Sequence, residues 1–207
     1  MKRLAAVLLC LSAQAQTYEV GVHGGMARIK GTPLGSLRES GERNDDSRLK
    51  GQSAAGVRFT LNTKGYWGQE VGYIYNRARF VTRLAPPTGS TTPVQREAGV
   101  VIHQAFYNVV SYFMPAGERW RPFFTTGLEL HENGAPNIAE FTSGRTRNYG
   151  FNYGGGVKIR LAPRALVRFD VRDTFTGKPY GLRFEDDALS GGLIRQFEVS
   201  AGLSVTF

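Results

Sequence analysis

The sequence predicts an all-β protein, an eight-stranded antiparallel up-and-down transmembrane β-barrel with short periplasmic turns and long extracellular loops. Three observations predict it. The chain opens on an export signal. No later stretch reaches the roughly 18 apolar residues that a membrane-spanning helix needs. Alternating segments of about ten residues recur, the length of a tilted membrane strand, and the polar connections between them are long and short in turn.

The export signal is residues 1–15. Lys2 and Arg3 make a basic start, Leu4 to Leu11 a short apolar run, and Ala13-Gln14-Ala15 an A-x-A site, so cleavage is expected after Ala15. A buried N-terminal helix would have no reason to place charge, apolar run and small residues in that order. Lipidation at Cys10 is disfavoured, because Leu9 stands where lipoprotein signals carry a small residue. Cys10 is the sole cysteine and leaves with the signal, so the mature chain is expected to have no disulfide, thiol nucleophile or cysteine metal ligand. Losing Lys2 and Arg3 lowers the formal net charge of +9 by two and leaves a basic protein.

Residues 16–207 read as one domain. The mean hydropathy of -0.27 taken alone describes a soluble chain. That inference fails for a membrane barrel, where lipid-facing and lumen-facing residues alternate and the mean falls near neutral. The 26 glycines, nine tyrosines and 13 phenylalanines fit small curved barrels with aromatic girdles.

Each segment has two faces. In 17–28, Tyr18, Val20, Val22 and Met26 oppose Glu19, Gly21, His23 and Gly25, and the polar stretch 29–50 follows. In 52–62, Ala55, Val57, Phe59 and Leu61 oppose Gly56, Arg58, Thr60 and Asn62, ahead of a tight turn at Thr63-Lys64-Gly65. In 66–80, Trp67, Val71, Tyr73 and Tyr75 oppose Gly68, Glu70, Gly72 and Asn76, before a Pro/Thr/Gly/Ser loop at 82–96. Segment 97–114 is almost continuously apolar and leaves its facing open, with Val101, Ala105, Tyr107, Val109 and Phe113 favoured as outward. After Pro115-Ala116-Gly117, segment 121–131 sets Phe124, Thr126, Leu128 and Leu130 against Thr125, Gly127, Glu129 and His131. Segment 147–161 follows a polar loop at 132–146 and sets Phe151, Tyr153, Val157 and Ile159 against Asn152, Gly154, Gly156 and Lys158. A turn at Ala162-Pro163-Arg164 leads to 165–175, where Val167, Phe169 and Val171 oppose Arg168, Asp170 and Arg172. The last loop, 176–193, precedes 194–207, where Phe197, Val199, Leu203, Val205 and Phe207 oppose Gln196, Glu198, Ser200 and Ser204.

Trp120-Arg121-Pro122-Phe123, Asn152-Tyr153-Gly154-Gly155-Gly156-Val157-Lys158 and Arg168-Phe169-Asp170-Val171-Arg172-Asp173 carry a resemblance in their order and spacing. The chain resembles the outer-membrane protein A-like family of small transmembrane β-barrels over essentially its whole mature length. The resemblance implies residence in the cell outer membrane among its lipids. It also implies biogenesis through periplasmic chaperones and the barrel assembly machinery, and a monomeric state. Phe207 resembles the terminal aromatic residue by which that machinery recognises barrels. Larger relatives add a peptidoglycan-binding domain for which this chain is expected to have no residues.

Glu70, Glu129, Lys158, Arg168, Asp170, Arg172 and Glu198 all fall on the expected inner face. Side chains fill the interior of an eight-stranded barrel, and ionised groups there are costly unless paired. They are expected to form a lumen ion-pair network, either as a fixed plug or as a gate that passes small ions. Which acid meets which base is not encoded locally. His131-Glu132 begins like a zinc-protease motif, but Ala135 occupies the second ligand position, so no metal or cofactor is expected. The histidines are expected to form hydrogen bonds in the interior or at the rim. Gly154-Gly155-Gly156 lacks phosphate-loop spacing and fits close packing instead.

Ser111 and Ser200 lie on segments with no histidine nearby in sequence, so a non-enzymatic envelope role is favoured over lipid-modifying catalysis. Adhesion or ligand binding through the long loops is the other alternative, and a secreted soluble barrel would overturn the membrane premise. Residues 38–50 mix four basic with four acidic residues, unlike a nucleic-acid stripe, and rim arginines are suited to lipid phosphates.

Overall fold

A computed structural model of the chain describes residues 17–31, 33–35, 37, 47–84, 92, 94–139, 141, 143–182 and 192–207. The expected signal peptide and its cleavage at Ala15 lie outside the described residues. Eight strands are present: β1 (Thr17–Gly31), β2 (Arg48–Asn62), β3 (Trp67–Leu84), β4 (Val94–Tyr112), β5 (Trp120–Asn133), β6 (Thr146–Ala162), β7 (Ala165–Gly177) and β8 (Leu193–Thr206). Each pairs antiparallel with its sequence neighbours, and β8 returns to β1 to close the barrel. Closure removes the sheet edges across the apolar band, which is what lets strands sit in lipid.

Alternation decides the facing. On β1 the outward residues run Tyr18, Val20, Val22 and Met26, then switch to Arg28 and Lys30. On β8 they run Val205, Leu203, Ala201, Val199 and Phe197, then switch to Arg195. β5 runs from Trp120 through Phe124 and Leu128 to Glu132. These switches trace one level around the wall, the outer edge of an apolar band about 25 Å tall in such barrels.

β4 has Val100, Ile102, Gln104, Phe106, Asn108, Val110 and Tyr112 buried inside, and Val101, Ala105, Tyr107 and Val109 on the opposite face. Its facing is hard to read in sequence because its inward face is itself largely apolar.

Several strands exceed their expected lengths at the long-loop end. β2 starts at Arg48 rather than 52, β3 runs to Leu84 rather than 80, and β4 starts at Val94 rather than 97. The period of two persists there, with Leu49 and Phe80 still buried inside while Arg48, Lys50 and Arg79 face out. The outward change to charge marks departure from lipid, not the end of the strand.

The β1–β2 ladder stops short of the strand ends. β1 and β2 pair from Thr17↔Asn62 to Met26↔Ser53. Beyond that level β1 continues on β8 as far as Gly31↔Ile194, and β2 on β3 from Arg48↔Val81. A bulge between Gly51 and Ala54 lies where that ladder ends, with Gly51 still close against the backbone of Ala27 and Ile29.

The outer end of the interior holds an apolar cluster. Leu49, Phe80, Val100, Ile102 and Ile194 project inward from four strands and meet Leu34, Tyr180 and Leu182 from the long connections. Ile138 and Phe141 pack against them. Tyr180 has φ 72°, a left-handed conformation uncommon for a bulky residue. Its ring lies edge-on to Phe80 and Phe141, and its hydroxyl donates to the Gly134 carbonyl at 2.6 Å. Burial of that phenol pushes its pKa up.

Candidate functional site in the barrel interior

Below the apolar cluster the interior is charged, in tiers. The tier nearest the short turns centres on Lys158 of β6. Its ammonium donates to Glu19 Oε2 at 2.5 Å and to the Tyr112 hydroxyl at 2.9 Å. Tyr112 donates in turn to Asn62 Oδ1, and Asn62 donates to Glu19 at 3.4 Å, closing a ring of four groups. Arg121 stacks on the Tyr112 ring 3.4 Å from its centroid. It also donates to the carbonyls of Met114 (3.1 Å) and Gly65 (2.7 Å), so one guanidinium ties two short turns together.

The central tier is built on Arg168. It forks onto Glu70 with two donors, and its Nη2 lies 2.7 Å from Asp170 Oδ1. Asp170 also accepts from Arg58 at 3.0 Å, and Glu70 accepts from Thr60 at 3.1 Å. Arg58 Nε donates to His23 Nδ1 at 3.4 Å. Planar guanidinium groups suit such forks, because several donors satisfy a carboxylate without bending the side chain.

Arg172 begins the next tier. Its two terminal nitrogens lie 3.6 Å from Glu70 and 3.5 Å from Glu129, linking the tiers. Glu129 is 2.7 Å from His131 Nε2. Amide pairs follow, Asn152 to Asn108 at 2.9 Å and Gln104 to Gln196 at 3.0 Å.

The barrel makes room for these groups with glycine. A Cβ at Gly156 would meet Phe123 Cζ at 2.8 Å, and one at Gly72 would meet Phe106 Cε1 at 2.6 Å. Those two rings carry the guanidinium groups of Arg168 and Arg172, at 4.2 and 4.3 Å from ring centroid to Cζ. The order is glycine, ring, cation, a cation–π stack that leaves the donors free for carboxylates.

All seven sequence-predicted residues are buried in the interior. Six of them, Glu70, Glu129, Lys158, Arg168, Asp170 and Arg172, form ion pairs. Glu198 lies opposite Arg172 in the β7–β8 register, but it makes no ion pair within 4.0 Å among the described residues. Sequence reasoning placed Glu19, His23 and Arg58 inward without assigning them to the network. The alternation of β1 and β2 was the signal that could have added them. His23 and His131 are interior, whereas His103 faces outward, 2.5 Å from the Tyr73 hydroxyl. Ser111 lies on the outward face of β4. Ser200 is buried opposite Asp170, and neither serine hydrogen-bonds a histidine among the described residues. Phe207 is exposed, and its backbone exchanges hydrogen bonds with Tyr18 at 2.9 and 3.3 Å.

The fold is shared with solved outer-membrane barrels. The outer membrane protein OprG from Pseudomonas aeruginosa is 11% identical, with a TM-score of 0.60, over 94% of this chain and 96% of that one. The N-terminal β-barrel domain of Pseudomonas aeruginosa OprF is 13% identical, with a TM-score of 0.51, over 92% and 97%. No curated protein matches in sequence. The family model for the outer membrane protein beta-barrel domain matches residues 3–207. With its closed wall of eight strands and its lipid-facing apolar band, the chain belongs to the outer membrane β-barrel family and resides in the cell outer membrane.

Proposed function

We propose that the protein is a non-enzymatic structural barrel of the outer membrane whose interior is closed to solutes. The observation that carries this reading is the pairing of two fillings in one lumen: an ion-pair network through the middle and an apolar cluster across the outer end. The sequence left open a gate that passes small ions. The apolar cluster weighs against it, because an entering ion would shed water among Leu34, Phe80 and Tyr180 before meeting a compensating charge. The enclosure of the lumen carboxylates and of Ser200 favours a structural role over catalysis, since a substrate would have to displace the network to reach them. Phe207 stands outward at the short-turn end, where a terminal aromatic residue is accessible to assembly machinery during insertion.

Reconstitution tests the closed lumen. Planar bilayers and sugar-loaded liposomes containing the folded protein are expected to show neither current steps nor swelling. Reproducible unitary conductance in protein that migrates as a compact species on an unheated gel (its cold-gel mobility), and so is folded, would overturn the reading.

A further inference from the structure

A cavity of about 450 Å³ lies beyond the last β1–β2 ladder pair, at the outer edge of the apolar band. Four exposed cations line it, Arg28 and Lys30 from β1 and Arg48 and Lys50 from β2, with apolar Leu49 and Ile194 beside them. Several other cations near this level have partners within the protein. Arg79 pairs with Glu97 at 3.0 Å, Arg147 with Glu132 at 2.9 Å and Arg195 with Asp173 at 2.5 Å, while Arg77 lies over the Tyr75 ring. Arg28, Lys30 and Lys50 have no carboxylate within 4.0 Å among the described residues. The level matters too. Met26, one outward position below Arg28, is 73% exposed and faces the acyl region, so the cations stand where lipid headgroups begin.

We infer that this seam is a binding site for a phosphorylated glycolipid of the outer leaflet, a lipid A-type molecule. Its phosphates are held by Arg28, Lys30 and Lys50, and its acyl chains lie along the apolar outward face of β1 below them. Arginine and lysine together suit phosphate, the first by forked donation and the second as a point charge. Basic pockets between membrane-spanning segments hold anionic headgroups by the same chemistry.

The test is native mass spectrometry of the full-length mature protein released from detergent with added diphosphorylated lipid A, its dephosphorylated form, or phosphatidylglycerol. Lipid A should be retained in preference to both others. The triple variant Arg28→Gln, Lys30→Gln, Lys50→Gln should cut retention at least about tenfold. A matched variant at the short-turn end, Lys64→Gln, Arg119→Gln, Arg164→Gln, removes the same charge and should leave retention unchanged. Cold-gel mobility reports whether each variant is folded. If the seam variant does not fold, the wild-type comparison decides, because it needs no mutation. Equal retention of the dephosphorylated lipid overturns the site. So does equal retention by the seam variant or an equal loss in the matched variant. Phosphatidylglycerol held as well as lipid A overturns the assignment to a glycolipid.

Discussion

Lys158 and Phe80 are enclosed by the same wall, both almost without solvent contact, and are held in opposite ways. Lys158 sits in a ring of hydrogen bonds with Glu19, Tyr112 and Asn62, each group oriented by the next. Phe80 sits among rings and aliphatic chains contributed partly by the long connections. The charged tiers are directional and fail when one member is lost, because its partner stays buried without compensation. The apolar end is non-directional. It can rearrange or open while the strands beneath stay paired. A barrel built this way has a rigid middle and an outer end whose stability is local.

Four experiments sharpen that contrast, beginning with the largest effect. Arg168→Met removes the cation shared by Glu70 and Asp170 while keeping much of the side-chain length. It should cost about 3–5 kcal/mol, the range for an uncompensated buried charge. Urea unfolding in phospholipid vesicles should show one global transition at lower urea. An unchanged midpoint would mean that the tier does not hold the barrel.

Lys158→Met should cost about 3 kcal/mol for the same reason, and adding Glu19→Gln should restore most of it, since the stranded carboxylate is then neutral. Additive losses in the double variant would argue that these residues act through packing alone.

Phe80→Ala should remove about 3 kcal/mol of local packing at the outer end. Its signature differs: faster proteolysis of the long loops and faster amide exchange near Tyr180, with little change in the global midpoint. A global shift as large as that of Arg168→Met would erase the distinction between the two ends.

Glu198→Gln should change stability by less than about 1 kcal/mol, because no ion pair is lost. A loss comparable with the first two would place Glu198 inside the network despite its geometry.

Most of the architecture was legible in sequence, since one rule governs it. A period of two with lipid on one side and a filled lumen on the other fixes the facing of Val20, Glu70, Arg168 and Phe197 alike. The rule is silent where both faces are apolar, as along Val100 to Val110, and it reverses at Arg48 to Lys50, where charge faces out and Leu49 faces in, so facing and strand ends were hardest there. Pair identities were not legible at all. Glu19 and Lys158 are separated by 139 residues, and only the closed register of eight strands brings them together. The interruption beyond Met26 and Ser53 has no composition signal beyond Gly51, since it depends on where two ladders part.

The hydrogen bonds between Tyr18 and Phe207 set a condition on time as well as on shape. Seven of the eight strand pairings join neighbours along the chain, and the eighth joins its two ends. Bringing those ends together costs about 2–3 kcal/mol more loop-closure entropy than forming a hairpin, by the logarithmic dependence on loop length. Until that last joint forms, β1 and β8 each carry an unmatched row of backbone donors and acceptors, which the hydrocarbon interior cannot solvate. The chain therefore has no half-finished state that lipid would accept. Closing the wall and burying it in lipid are coupled steps.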